Sequence, residues 1–140
     1  MEVQAYKQWC QALLTNRSNK DLTVKEAEHD AGKFYEYPDK DKEIQPGSLN
    51  GTVVKAGATF SVAGCGRSDA AVGSDAEFSL FDGNKKVGHI HFVCPWGIGD
   101  NTFYPKSEYP NEWFFNMIPA EVNQDGAIGT VTVIIAYLGA

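Results

Sequence analysis

Val62-Ala63-Gly64-Cys65-Gly66-Arg67-Ser68-Asp69-Ala70-Ala71 ends one apolar run on a cysteine, and Cys94-Pro95-Trp96-Gly97 ends another. After each cysteine the chain meets glycine or proline, the residues that let a backbone turn sharply. Between the two strings lie short apolar stretches, Ala76 to Phe81 and Val87 to Val93, each of strand length. This layout predicts strand ends that deliver a basic–acidic loop and a tryptophan loop to one rim.

Outward from this stretch the same rhythm continues. Breakers recur at Pro46-Gly47, Asn50-Gly51, Ala56-Gly57, Asp82-Gly83-Asn84, Gly97 to Asn101, Pro110-Asn111 and Asp125-Gly126. Turn signals at such spacing, with short apolar runs between them, are the pattern of a sandwich or barrel. The closing run is the clearest strand. Val131, Val133, Ile135 and Tyr137 form one face, and Thr130, Thr132, Ile134 and Ala136 the other. Both faces are largely apolar, which predicts a central position in its sheet. Val3 to Leu14 is ambiguous, because Val3, Tyr6, Cys10 and Leu13 fit a helical stripe and the alternation is loose. Leu22, Val24 and Ala27 open a mixed strand, and Pro38 to Glu43 reads as a charged, solvated loop.

Composition sets outer bounds. The chain has 140 residues, suited to one domain over 1–140, and is 43% hydrophobic and 21% charged. Its formal net charge is -6, and Arg17 and Arg67 are its only arginines. Such a balance lacks the basic footprint that neutralises phosphates, so nucleic acid is excluded as a partner. Anionic lipid is disfavoured by charge for the same reason. No apolar run approaches the ~20 residues of a spanning helix. The start, Met1-Glu2-Val3-Gln4-Ala5-Tyr6, lacks a signal peptide's basic and apolar regions. Sequons stand at Asn16 and Asn50. Of Cys10, Cys65 and Cys94, at most one pair can bridge. Cys65–Cys94 is the pair to test, against three buried thiols.

No motif for catalysis is present: no Gly-x-Ser-x-Gly elbow, phosphate loop or His-Glu-x-x-His. Ser68 beside Asp69 reads as a turn hydroxyl bonded to local backbone. His89 and His91 share a strand face, yet no spacing implies the further ligands of a zinc site, so hydrogen-bonded strand histidines are the simpler reading. The expectation is no enzyme, no metal and no cofactor. Aromatic residues are more informative. Eight of the 17 fall between Phe92 and Phe115, and Trp96, Tyr104 and Tyr109 sit beside proline or glycine in predicted loops. Rings with an apolar body and a polar edge suit a membrane interface, and they also stack on sugars. Lipid, glycan and structural packing all remain open on composition.

The strings Cys65-Gly66-Arg67-Ser68-Asp69-Ala70-Ala71 and Cys94-Pro95-Trp96-Gly97 resemble those of the aegerolysins, in the same order and at family-like separation. Ala5-Tyr6-Lys7-Gln8-Trp9 resembles the family's opening strand, Gly32-Lys33 its second motif, and Gly126-Ala127-Ile128-Gly129-Thr130-Val131-Thr132-Val133 its closing strand. The resemblance implies an all-β, single-domain sandwich of the aegerolysin and actinoporin-like kind, with a strand at the N-terminus. It implies recognition of membrane lipid, either sphingolipid with sterol or ceramide phosphoethanolamine. It also implies recruitment of a larger partner with a membrane-attack-complex/perforin domain to form a pore, as in some insecticidal bacterial pairs. Soluble protein released without a signal peptide would then act at target-cell membranes.

Residue by residue, Trp9 and Trp96 match tryptophans of the lipid-facing set, and Arg67, Ser68 and Asp69 match the central loop. An ion pair between Arg67 and Asp69 that shapes the loop is the structural alternative. The chain departs from the fungal lipid binders at three places. Ala31 stands where they carry Trp, Val72 where they carry Glu, and Ile98-Gly99 near their Lys. These departures bear on lipid specificity and leave membrane binding as such untouched; Val72 and Ile98 make the rim more apolar. The candidate site is therefore Trp9, Arg67, Ser68, Asp69, Val72, Trp96, Tyr104 and Tyr109. The rival expectation is a lectin-like module that binds a glycan or receptor through the same rings and forms no pore.

Overall fold

The computed structural model describes residues 4–68, 71–97 and 99–139. In chain order its strands are β1 (Trp9–Asn16), β2 (Leu22–Ala31), β3 (Lys33–Glu36), β4 (Asp39–Ile44), β5 (Val53–Val54), β6 (Thr59–Cys65), β7 (Ser74–Asp82), β8 (Lys85–Cys94), β9 (Thr102–Ser107), β10 (Trp113–Ile118) and β11 (Gly129–Tyr137). A 3-10 turn covers Gln4–Lys7 and one helical turn, α1, covers Pro46–Leu49. Two sheets face each other. One has the order β10-β11-β1-β6-β3-β4 and the other β5-β2-β7-β8-β9.

Alternation along each strand sorts the side chains. Cys10, Ala12 and Leu14 on β1, Val131, Val133 and Ile135 on β11, and Phe78, Leu80, Ile90 and Phe92 on β7 and β8 are at most 1% exposed in one core, so that both sheets close over the same interior. Phe92 stacks on Phe103, centroids 6.1 Å apart, at the interior of the five-stranded sheet. The closing strand β11 lies between β10 and β1, the central position its two apolar faces predict. The runs Ala76 to Phe81 and Val87 to Val93 form the β7–β8 hairpin.

Three readings change, and the open question of the cysteines is decided for buried thiols. The N-terminal stretch is a 3-10 turn before a strand: Gln8 N–H bonds Ala5 C=O and pairing begins at Trp9. Tyr6 and Cys10 therefore fall on opposite sides of the sheet, which breaks the apparent helical stripe. The charged segment after Pro38 is edge strand β4, whose five consecutive charges suit an edge that must not pair further. All three cysteines are free and buried. Cys65 faces an outer cluster with Tyr6, Tyr35 and Ala63, whereas Cys94 lies in the main core, so the two thiols point into different compartments. Finally, Tyr104 is on strand β9, not in a loop; its neighbour Pro105 is tolerated because β9 is an edge. As for the sequons, Asn16 is fully buried, its amide donating to the carbonyls of Lys20 and Val54, while Asn50 accepts the Ala27 N–H.

One end of the sandwich is assembled by backbone contact. A β-carbon at Gly66 would strike the carbonyls of Val72 and Ala5, and one at Gly73 would strike Cys94 C=O and Trp96 N. The segment after β6 is thereby pressed onto the end of β8. Gly73→Ala is expected to lose about 1–3 kcal/mol, the cost of forcing atoms into filled space. Gly47→Ala, where nothing lies within 4 Å, should change stability by less than about 0.5 kcal/mol. Denaturant unfolding of the two variants compares them directly.

Candidate functional site

Register and glycine contacts place two cysteine-ended strands at the same end. Ser74 pairs with Cys94, and Trp9 and Lys33 both pair with Cys65. Gly66 and Gly73 mark where the chain leaves the six-stranded sheet after Cys65 and enters the five-stranded sheet at Ser74. Trp96 follows Cys94 by two residues and is 38% exposed, beside the backbone that covers Gly73. Val72 is half-buried beneath this rim, and Ser68 is exposed on it. Asp69, like Ile98, lies outside the described residues.

Trp9 is half-buried on the outer face of the six-stranded sheet. Its ring centroid is 5.9 Å from that of Tyr37, which is 6.3 Å from Tyr35, and Lys40 Nζ stands 5.2 Å from the Trp9 ring. Beneath them, Lys33 is 6% exposed; its Nζ donates to Tyr6 Oη at 2.7 Å, and Tyr6 donates to Asp41 Oδ1 at 2.8 Å. Arg67 reaches sideways to β4, where its two terminal nitrogens donate to the two Glu43 oxygens at 3.0 Å each. This fork holds the Glu43 carboxyl below the usual range, the hydrogen bond outweighing partial burial. Alternation of charges on β4 is what brings Asp41 and Glu43 to these partners; the sequence shows the charges, and only strand pairing shows whom they meet. Tyr6, Lys33, Tyr37, Lys40, Asp41 and Glu43 thus surround the candidate residues Trp9 and Arg67, and reading the chain did not single them out for the site. The one available signal was the Phe34, Tyr35 and Tyr37 cluster next to Gly32-Lys33.

The two predicted tyrosines stand elsewhere. Tyr104, 65% exposed, pairs with His91 on the flank of the five-stranded sheet and lines a cleft of about 550 Å³ with Phe103, Met117 and Val122. Tyr109 is at the far end of the sandwich, with Lys85 Nζ 4.0 Å from its ring and Lys85 bonded to Glu112. Its neighbour Glu108 bonds Val87, near the start of β8, so Tyr109 does not belong to the rim.

A second cavity, about 420 Å³, lies on the outer face of the five-stranded sheet between Glu26, Glu28, Glu77, Lys86 and His89. Ser79, fully buried, donates to Glu26 at 2.7 Å, so at 2.9 Å it can only accept from His89 Nδ1. A nucleophilic serine donates to the imidazole, the reverse of this order. Burial, then the Lys86 charge, keeps His89 below its ordinary value. Glu28 is raised by its hydrogen bond to Glu77 and by that group's charge. His91 Nε2 bonds Asp75 at 2.7 Å. Among the described residues no three His, Cys, Asp or Glu side chains are placed to hold a metal ion. Burial also pushes the Cys65 thiol up to about 11 and raises Cys10 and Cys94, which keeps all three protonated at neutral pH.

A family model described as Aegerolysin matches residues 7–137. The chain is 39% identical to Asp-hemolysin of Aspergillus fumigatus over 94% of each sequence, and 34% identical to Ostreolysin A6 of Pleurotus ostreatus over 92% of this chain and 94% of that one. The crystal structure of IP-1A from Alcaligenes faecalis superposes with a TM-score of 0.89 at 31% identity, covering 97% of this chain and 95% of that one.

The Arg67 fork sets a pH signature. A carboxyl lowered by folding adds stability above its unfolded value, and the gain disappears as pH falls through the folded value. Carboxyl-detected NMR titration should place the Glu43 midpoint below the ordinary 4.5 in the native chain and move it upward in Arg67→Gln. An unchanged midpoint would show that the fork does not form in solution.

Proposed function

The chain belongs to the aegerolysin family, and from that premise we propose that it binds a target membrane through the rim bearing Trp9 and Trp96 and then recruits a perforin-like subunit that builds the pore. What carries the reading is the location of Trp9 and the exposed Trp96 at one end of the sandwich, next to an aromatic face with Lys40 over the Trp9 ring. Indole rings partition to the headgroup layer, where the apolar body is buried and the N–H stays wet. Lys40 over the Trp9 ring is an internal instance of a cation on that face, and a headgroup ammonium is recognised by the same physics. With a net charge of -6, a zwitterionic sphingolipid such as sphingomyelin or ceramide phosphoethanolamine suits the protein better than an anionic lipid.

No catalytic step enters this mechanism. Adsorption orients the sandwich with its rim down and leaves the opposite end, with Tyr109, Lys85 and Glu112, toward solvent. Among the described residues no helix is long and apolar enough to cross a membrane; in this proposal the larger partner builds the pore wall. The site of action is the outer surface of the target cell.

Co-sedimentation with liposomes tests this. The vesicles are phosphatidylcholine alone, with sphingomyelin and sterol, or with ceramide phosphoethanolamine. Selective binding to either sphingolipid mixture is expected. Trp96→Ala should weaken it by about tenfold or more, since an indole burying on the order of 100 Å² contributes roughly 2 kcal/mol. The variant should remain folded with only a modest drop in unfolding midpoint, because Trp96 belongs to neither buried cluster. Binding to no mixture would shift the assignment to a glycan or protein receptor. Leakage appearing only when a perforin-like partner is added tests the second half of the proposal.

A further inference from the structure

Among the described residues Tyr104 is the most exposed large apolar side chain, at 65%, and it lies off the tryptophan rim. It lines the cleft of about 550 Å³ that runs between edge strand β9 and the chain from Met117 to Gln124, a volume typical of small-ligand sites. At one end β9 and β10 are tied together, since Ser107 Oγ donates to Trp113 C=O at 2.7 Å. At the other, the buried Asn101 donates to the carbonyls of Asn123 and Gly126 at 2.8 and 3.0 Å, and Cys94 Sγ–H bonds the same Gly126 C=O at 3.2 Å. The wall of the cleft is therefore held in place before anything binds. Its Asn101 end lies beside the end of β8 that leads to Trp96.

Hydrogen-bond parity shows what the strand edge offers to this cleft. Glu108 N–H bonds Val87 C=O, so Thr102, Tyr104 and Lys106 bond β8, while Phe103, Pro105 and Ser107 turn their backbone groups outward. Phe103 lines the cleft, and among the described residues nothing bonds its outward N–H and C=O. Pro105 lacks the next N–H, so the edge does not suit a further strand, yet one donor and one acceptor remain for a small molecule. The exposed Thr102 hydroxyl and Glu121 carboxylate also line the cleft, and neither has a partner among the described residues.

We propose that this cleft binds a neutral hexopyranose, with the C–H face of the sugar on the Tyr104 ring and its hydroxyls on Phe103, Thr102 and Glu121. The lining itself selects that chemistry. Glu121 is the only charged side chain in it, so an anion is repelled. An ammonium is held best by a cage of several rings, and here one ring is free, because Phe103 stacks on Phe92 in the core. An acyl chain or a sterol would cover Met117 and Val122 but leave the Phe103 N–H and C=O dry and unpaired, which costs binding. A pyranose supplies both needs at once: C–H groups for the ring, and hydroxyls that donate and accept around its edge.

The sugar reaches the cleft as a soluble glycan or as the headgroup of a glycosphingolipid, and the site stands on its own geometry in either case. Only the second source rests on the membrane docking proposed above. There the rim and the Asn101 end of the cleft meet one surface, so two weak contacts act as one. A single hexose is a small ligand, and its dissociation constant alone is on the order of 1–10 mM.

Amide NMR titration of the whole isotope-labelled protein, without lipid, tests the site with methyl β-D-galactopyranoside and methyl β-D-glucopyranoside, each taken to about 50 mM. At least one glycoside is expected to give saturable shifts at Thr102, Phe103 and Glu121. Tyr104→Ala should weaken binding at least tenfold, and Tyr104→Phe, which keeps the ring, should bind within about twofold of the wild type. Circular dichroism and unfolding midpoints confirm that both variants are folded. Vesicles of phosphatidylcholine with and without galactosylceramide or glucosylceramide then separate the sources. Added retention that Tyr104→Ala loses assigns the glycolipid headgroup, and glycoside binding without such a gain assigns soluble glycans. No saturable shift with either glycoside overturns the proposal, as do shifts that map away from the cleft or equal binding by the folded Tyr104→Ala. Failure to bind any vesicle would strike the membrane reading and leave the glycoside titration standing.

Discussion

At the end of the sandwich there is no room for a side chain on Gly66 or Gly73, and the arrangement of the rim depends on that. Backbone touches backbone where the segment after β6 crosses to the end of β8, so the two sheets are held together there by shape. Trp96 projects because the chain beneath it is pinned against Gly73. Gly32, with φ +76, turns β2 into β3 under the Cys65 carbonyl and hands Lys33 to the outer face. A fold that spends glycine at one end can present large rings there without filling the space behind them.

The outer face beside the rim solves a different problem. Lys33 is nearly enclosed, and a buried ammonium is costly unless it is bonded. Tyr6 accepts its proton donor and passes a hydrogen bond to Asp41, so one phenol links a 3-10 turn, a strand and an edge. Arg67 does the same for the loop by forking onto Glu43. Acidic side chains of β4 are thus engaged by the basic residues of the site. The outer face beside the rim is left with aromatic rings, Lys40 over Trp9 among them, and with its acidic and basic side chains paired.

Much of the architecture could be read in advance. Breaker spacing, the cysteine-ended runs and the apolar closing strand point to a sandwich or barrel because they report turns and alternation, which are local properties of the chain, and the family resemblance narrows this to a sandwich. Trp9 and Arg67 were singled out by the family resemblance and not by local pattern, and the structure places Trp9 and Trp96 at the same end of the sandwich. The N-terminal pattern stayed ambiguous by itself because Tyr6 and Cys10 are both buried, in different clusters, and the resemblance rather than the periodicity pointed to the strand that begins at Trp9. Pro38 to Glu43 looked like a loop because edge strands carry charge for a reason unrelated to turning. Tyr104 and Tyr109 were grouped with Trp96 on their proline neighbours, yet the length of β9 separates them.

What this sequence determined by itself is the class of fold, the position of its turns and the two tryptophan-bearing ends, since each follows from residues close together in the chain. What only the tertiary structure decided is partnership. Arg67 meets Glu43, Lys33 meets Tyr6, and Cys65 and Cys94 part company. These depend on strand order and on which face each side chain takes. Order and register are settled by how the whole hydrophobic set is buried at once, a sum over distant residues that no local pattern records.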